Sequence, residues 1–193
     1  TDVPILEVAR GCIFRCKFCA YPLIGKQKGD LSFLREKNRI KDELKQNYEL
    51  YGVTRYVIID DTFNEQTIKL QAIAEAIDEL ELPERLQFAA FIRIDLVARW
   101  PEQLELLKRI NVRAWFLGVE SLNYESAKAI GKGCPKEKIF ETVRAAKKVF
   151  DGSLSVYGSF IAGLPHDSRE TMDLWIQEII ENNDVFDAFS FSP

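Results

Sequence analysis

The feature that most constrains this chain is an alternation. Short apolar runs over residues 5–9, 55–60, 86–92, 114–119, 154–161 and 187–191 read as strands, and amphipathic stretches separate them. Runs such as YVII and GSFIAG are nearly all apolar, the pattern of strands buried on both faces of a parallel sheet. Ile40, Leu44 and Tyr48 recur at four-residue spacing ahead of Gly52, a helix stop. Ile68, Ala72, Ile73, Ala76, Ile77 and Leu80 mark a second helical face before Pro83. Trp100 and Pro101 open a third helix, and Ile139, Phe140, Val143 and Phe150 mark a fourth, closed by Gly152. Asp167 and Glu170 form a capping pair ahead of Met172, Trp175, Ile176, Ile179 and Ile180.

Six β/α units in series fit an α/β barrel or partial barrel; a doubly wound parallel sheet has the same periodicity. A barrel gathers its chemistry at the C-terminal ends of its strands. The residues there are Gly11 and Cys12, Asp60 and Asp61, Arg93 and Asp95, Glu120 and Ser121, Gly163, and Ser190 and Ser192. Polar residues follow any strand that runs into solvent, so position alone assigns none of them a role.

Composition narrows the class. A chain of 193 residues, 47% hydrophobic, buries the core of one domain. No apolar run approaches the ~18 residues of a membrane span and no signal peptide opens the chain, so we expect a cytoplasmic protein without a membrane partner. The net charge of −4, with both signs spread along the chain, does not indicate nucleic acid. Strand-like runs near both ends read as a core domain, 1–193, cut from a longer protein.

Three of the four cysteines stand within eight residues, in GCIFRCKFCA. Cys12, Cys16 and Cys19 follow the first strand as C-x3-C-x2-C. Clustering of this kind points to metal or redox chemistry in a reducing compartment. Iron–sulfur cubanes are held by cysteine thiolates, usually four; three leave one iron open. Cys134, in GKGCP, is either a distant fourth ligand or an inert thiol. Structural zinc uses a second C-x2-C pair or histidines. Here the single histidine, His166, lies at a distant turn and reads as solvated, so zinc is poorly supported.

CIFRCKFC resembles the C-x3-C-x-aromatic-C signature of radical S-adenosylmethionine (radical SAM) enzymes, with Phe18 in the aromatic position. YGVTRYVIIDDTF resembles the second strand of the branch often fused to a cobalamin-binding domain. FIRIDL with PEQLELLKRINV, GVESLNYESAKAIGKG and FIAGLPHDSRETM resemble its third, fourth and fifth units. The resemblance implies a partial (β/α)6 TIM-like barrel with a parallel sheet. It also implies a 4Fe–4S cluster on Cys12, Cys16 and Cys19, with SAM chelating the open iron through its amino and carboxylate groups.

By the same resemblance, Phe18 lies near the adenine of SAM or simply packs under the loop. Where many members carry a Gly-Gly-Glu-like motif for the SAM amino group, this chain has Asp60-Asp61-Thr62-Phe63. One aspartate then takes the ammonium, the alternative being a helix cap by Asp61 or Asn64. Arg93, flanked by isoleucines, grips the SAM carboxylate or pairs with Asp95 or Glu120. Glu120 and Ser121 match the family position that holds the ribose hydroxyls. Gly163 and Leu164 let the backbone approach adenine or form a plain Gly–Pro turn. Tyr21, Tyr124 and Tyr157 face the substrate or pack ordinarily.

The implied reaction is reductive cleavage of SAM to methionine and a 5′-deoxyadenosyl radical. That radical then abstracts a hydrogen, or a methyl group is transferred, on a small-molecule or peptide substrate. A reductant such as flavodoxin or ferredoxin supplies the electron, and cobalamin enters only through a domain absent from this sequence. The rival class is an iron–sulfur electron-transfer protein, which needs Cys134 as fourth ligand.

Overall fold

The computed structural model describes residues 3–20 and 33–193; Tyr21 lies outside them. Six strands form one all-parallel sheet in the order β1 (Ile5–Leu6), β4 (Arg55–Ile58), β5 (Gln87–Ile92), β6 (Val112–Glu120), β7 (Ser155–Ile161) and β8 (Ala188–Ser192). The order follows the chain without reversal. A doubly wound sheet reverses at its switch point, so the sequential order decides for an open, partial (β/α)6 barrel.

The first strand is shorter than its apolar run. Its ladder with β4 ends where Leu6 C=O accepts the N–H of Ile59. The Asp60 carboxylate then takes the N–H groups of Val8 and Ala9, at 2.9 and 3.0 Å, and bends the chain out of the sheet. Beyond the bend, β2 (Ala9–Arg10) pairs antiparallel with β3 (Phe33–Leu34).

Helices α1 (Lys37–Tyr51), α2 (Thr67–Asp78), α4 (Gln103–Ile110), α6 (Lys136–Val149) and α7 (Arg169–Glu181) occur where periodicity places them. Two short helices, α3 (Ile94–Arg99) and α5 (Tyr124–Ala129), carry no amphipathic repeat long enough to announce them. Gly52 stops α1 at φ 64°. Three expectations need correction. Ile68 is 68% exposed, because α2 turns the neighbouring Lys69 inward to meet Asp60. Helix α7 is capped by Ser168 and Thr171, not by Asp167 and Glu170; Asp167 instead accepts the Ser126 hydroxyl and the Leu164 N–H. Ile180 also faces solvent.

The core lies between sheet and helices. Phe88, Ala90 and Ile92 of β5, Trp115, Leu117 and Val119 of β6, and Val156 and Phe160 of β7 are buried against the helical layer. Burial of such side chains is the main stabilising term, about 1.5–3 kcal/mol for each large one. The opposite face of the same strands is not sealed: Phe91, Phe116 and Tyr157 point into the barrel interior and line a cavity. The near-continuous apolar runs therefore divide into a buried outer face and a cavity-lining inner one.

Candidate active site

The cysteine loop leaves the barrel at Gly11, whose φ of 91° is a left-handed turn that favours glycine. Three elements then hold the loop. Cys12 Sγ lies 3.4 Å from Thr62 Oγ1, on the loop after β4. Arg93 Nη1 donates to Cys16 Sγ at 3.3 Å from the end of β5. Lys17 N–H donates to Ile130 C=O at 2.9 Å, between α5 and α6. Within the loop, Cys19 N–H donates to Cys16 C=O. All three thiols are half-buried and line one cavity of about 540 Å³ at the C-terminal ends of the strands.

Among the described residues, no three metal-ligating side chains converge tightly enough for a single ion. A zinc ion ~2.3 Å from each sulfur needs them nearly in contact, whereas a cubane takes each thiolate on a different iron. Three thiols of one loop facing a shared cavity, with a guanidinium hydrogen bond on one sulfur, fit a cubane. Cys134 does not line the cavity. Burial pushes its thiol up to about 11, with the Asp95 charge adding to the rise. It packs against the hydrophobic core, away from the cavity that the other three thiols line.

Arg93 is 8% exposed and fully committed. Its Nε and Nη2 fork onto Asp95 at 3.1 and 2.7 Å, and its guanidinium lies 3.9 Å from the centroid of Phe14. Burial by itself would pull its pKa down; the Asp95 hydrogen bond and charge, with Cys16, outweigh that and raise it. The partner is Asp95, not Glu120.

Glu120 sits where β6 slips register against β7, between Gly118 and Glu120, and adopts φ 67°. A carboxylate held at positive φ is strained, and strain of this kind collects at functional sites. The bulge aims the side chain into the cavity, where it pairs with Lys132 at 2.8 Å. Gly118 makes room: a Cβ there would collide with Glu120 Oε1 and Lys132 Nζ. Lys132 Nζ in turn lies 6.0 Å from the centroid of Phe18, which lines the mouth.

Asp61 lines the cavity, but Asp60 does not. The Asp60 side chain is 2% exposed and pairs with Lys69 at 2.7 Å. Its carboxylate is occupied by the Val8 and Ala9 N–H groups at the bend after β1. Asn64 is no helix cap: its side chain brackets the Arg93 backbone, accepting from N–H and donating to C=O. Ser121 is buried and its hydroxyl accepts the Asn123 N–H in the turn before α5. Gly163 has φ 84° with open space around it, as a turn requires, and lies outside the cavity lining. Tyr157 lines the cavity; Tyr124 does not and is contacted by Lys128. His166 is an exposed turn residue whose carbonyl accepts from Asn123. Thr62, Gly118 and Lys132 carried no spacing signal, and only the fold brings them to the thiols.

No helix among the described residues is long and apolar enough to cross a membrane. The sequence is similar to known proteins over most of its length. It is 26% identical over 190 residues, 97% of this chain, to the bacteriochlorophyllide d C-12(1)-methyltransferase of Chlorobaculum tepidum. It is 27% identical over 174 residues, 90% of this chain, to an uncharacterized methyltransferase of Pyrococcus horikoshii. The chain spans 39% and 36% of those relatives' lengths. Its fold superposes on the radical S-adenosylmethionine methyltransferase TsrM from Kitasatospora setae, solved with cobalamin and a [4Fe-4S] cluster bound. That match has a TM-score of 0.75 and 19% identity and covers 98% of this chain and 36% of that one. Coproporphyrinogen III oxidase (HemN) from Escherichia coli, described as a radical SAM enzyme, matches at TM-score 0.64 and 16% identity, over 98% of this chain and 44% of that one. The family model of the Radical SAM superfamily matches residues 6–179. The chain belongs to the Radical SAM superfamily.

Proposed function

We propose that this chain is the catalytic core of a larger enzyme that cleaves SAM reductively. The observation that carries the reading is the shared cavity. Three half-buried thiols of one loop face the Glu120–Lys132 pair, Asp61 and Arg93 across it. When bound, a 4Fe–4S cluster and SAM supply one-electron cleavage of a sulfonium.

Cys12, Cys16 and Cys19 hold the cluster. Arg93 donates to the Cys16 sulfur and, locked by Asp95 and Phe14, keeps the loop from rearranging. Asp61, Glu120 and Lys132 present fixed charges of both signs, which suit a zwitterion carrying an ammonium, a carboxylate and a diol. Arg93 is engaged by Asp95 and Cys16, and Lys132 by Glu120; Lys132, held by a single contact rather than by a fork, is the cation that turns to the SAM carboxylate. Phe18 lines the same cavity beside Lys132, where its ring is placed to meet the adenine of SAM.

The reaction on substrate belongs to the whole protein. The methyltransferase names of the relatives favour methyl transfer, with cobalamin supplied by a domain outside this sequence, over hydrogen abstraction alone. The reductant is a small flavin or iron–sulfur carrier such as flavodoxin or ferredoxin. A cytoplasmic location suits four free thiols.

The test is product analysis. Anaerobically reconstituted chain, reduced with dithionite and given SAM, should release methionine and 5′-deoxyadenosine in equal amounts. Cys12→Ala, Cys16→Ala and Cys19→Ala should each abolish both. Release that is unchanged in these variants, or absent from an iron-loaded wild type, contradicts the proposal.

A further inference from the structure

The cavity is divided by the register of its strands. One cross-strand row holds Phe91, Phe116 and Tyr157, paired directly from β5 to β6 to β7. Their rings follow one another at centroid separations of 5.2 and 5.9 Å. Two residues further along β6 and β7 stand Gly118 and Ser159, in register with Ser190 of β8, while β5 ends and gives way to Arg93. Of the charged lining residues, Asp61, Arg93 and Lys132 follow strand ends and Glu120 is the last residue of β6. None belongs to the aromatic row.

The aromatic row is open to a ligand. Phe91 is 45% exposed despite lying in the centre of the sheet, between β4 and β6. The Ser159 and Ser190 hydroxyls line the cavity and make no hydrogen bond to the described residues. Gly118 has no side chain to fill the space above Phe116, and a Cβ there would strike the Glu120–Lys132 pair. The floor is therefore flat and apolar, with free hydroxyls on the β7–β8 side.

Resting on the SAM-cleaving reading, we propose that the substrate places a flat, uncharged ring system on the Phe91–Phe116–Tyr157 row. A polar substituent of that ring system takes hydrogen bonds from Ser159 and Ser190. Stacked or edge-on rings 4.5–7 Å apart gain attraction beyond their buried area. A charge carried onto this row would be desolvated without a partner, which is costly. The charged groups at the mouth stay with the cofactor. The substrate class is a neutral ring-bearing small molecule, and a charged peptide segment does not fit this part of the cavity.

A matched pair of probes tests this: naphthalene-2-carboxamide and the isosteric anion naphthalene-2-carboxylate. Both are titrated calorimetrically into the anaerobic, iron-loaded chain in the presence of saturating SAM. The amide should bind one per chain and at least tenfold more tightly than the carboxylate. Phe116→Ser should weaken the amide about tenfold while leaving intact the change SAM makes in the reduced cluster's paramagnetic resonance spectrum. Phe91→Ser, at an already half-exposed side chain, should do the same should Phe116→Ser fail to fold. Equal binding of amide and carboxylate, no binding of the amide, displacement of the amide by SAM, or indifference to both substitutions overturns the proposal. A wild-type spectrum that SAM leaves unchanged, with the amide still bound to the row, refutes the SAM reading instead.

Discussion

Asp60 and Lys69 meet at 2.7 Å with both side chains almost completely buried, and this pair anchors the cysteine loop. Asp60 Oδ1 holds the N–H groups of Val8 and Ala9, four and three residues before Cys12. Lys69 Nζ also donates to Thr62 C=O at 3.2 Å, and the Thr62 hydroxyl meets Cys12 Sγ. One buried ion pair thus ties both ends of the turn that presents the first thiol.

Removing one partner strands the other. Lys69→Met should lower unfolding stability by about 3–5 kcal/mol, the cost of an uncompensated buried charge. Asp60→Asn keeps the acceptor for Val8 and Ala9 and should cost less. The double variant Asp60→Asn, Lys69→Met should be more stable than Lys69→Met alone. Urea unfolding followed by far-UV circular dichroism measures all three. Equal stability of Lys69→Met and wild type would show that the pair holds nothing.

Gly118→Ala probes the room beside Glu120 and Lys132. The atoms a new Cβ would strike are the far ends of two flexible side chains, so the fold should survive while the pair is pushed aside. Loss of one charge-assisted contact is worth about 1.5–3 kcal/mol. SAM affinity should therefore fall roughly ten- to a hundredfold, with iron content unchanged. Equilibrium dialysis with labelled SAM reads this directly.

Arg93→Lys keeps a positive charge but loses the fork onto Asp95 and the planar contact with Phe14. The hydrogen bond to Cys16 Sγ is lost with that geometry. Hydrogen bonds to cluster sulfurs set reduction potential. The potential of the reconstituted cluster should shift to a more negative value, read by redox titration, while the far-UV spectrum stays that of wild type.

Cys134 should be dispensable. Cys134→Ala should bind as much iron as wild type, whereas an iron–sulfur carrier using it as fourth ligand would lose its cluster. Its thiol, normally near 9.0, is pushed up to about 11 by burial. A raised folded-state pKa means the folded chain keeps this proton after the unfolded chain has lost it. The associated stability is present below pH 9 and declines between pH 9 and about 11. Cys134→Ala should flatten that alkaline decline in thermal unfolding curves.

Much of the architecture was legible because it rests on periodicity. Apolar runs every few tens of residues fixed six strands to within a few positions, and Gly52 marked the end of α1. What escaped was set by tertiary partners. Residues 5–9 read as one strand, yet Asp60, more than fifty positions away, breaks it after Leu6. Ile68 read as core, yet the demand for Lys69 beneath Asp60 sets the rotation of α2. In the site, the cysteine spacing announced itself, while Lys132 had no pattern until the loop after α5 brought it to Glu120. Asp60 and Asp61 looked alike in sequence; only the fold gives one to β1 and the other to the cavity.

The central claim is that SAM reaches an iron left open by three cysteines. Its most direct test is the electron paramagnetic resonance spectrum of anaerobically reconstituted, dithionite-reduced protein with and without SAM. The account predicts a reduced-cluster signal whose g-values shift when SAM is added, with the shift diminished in Gly118→Ala. A cluster signal that SAM leaves unaltered in the wild-type chain would contradict it.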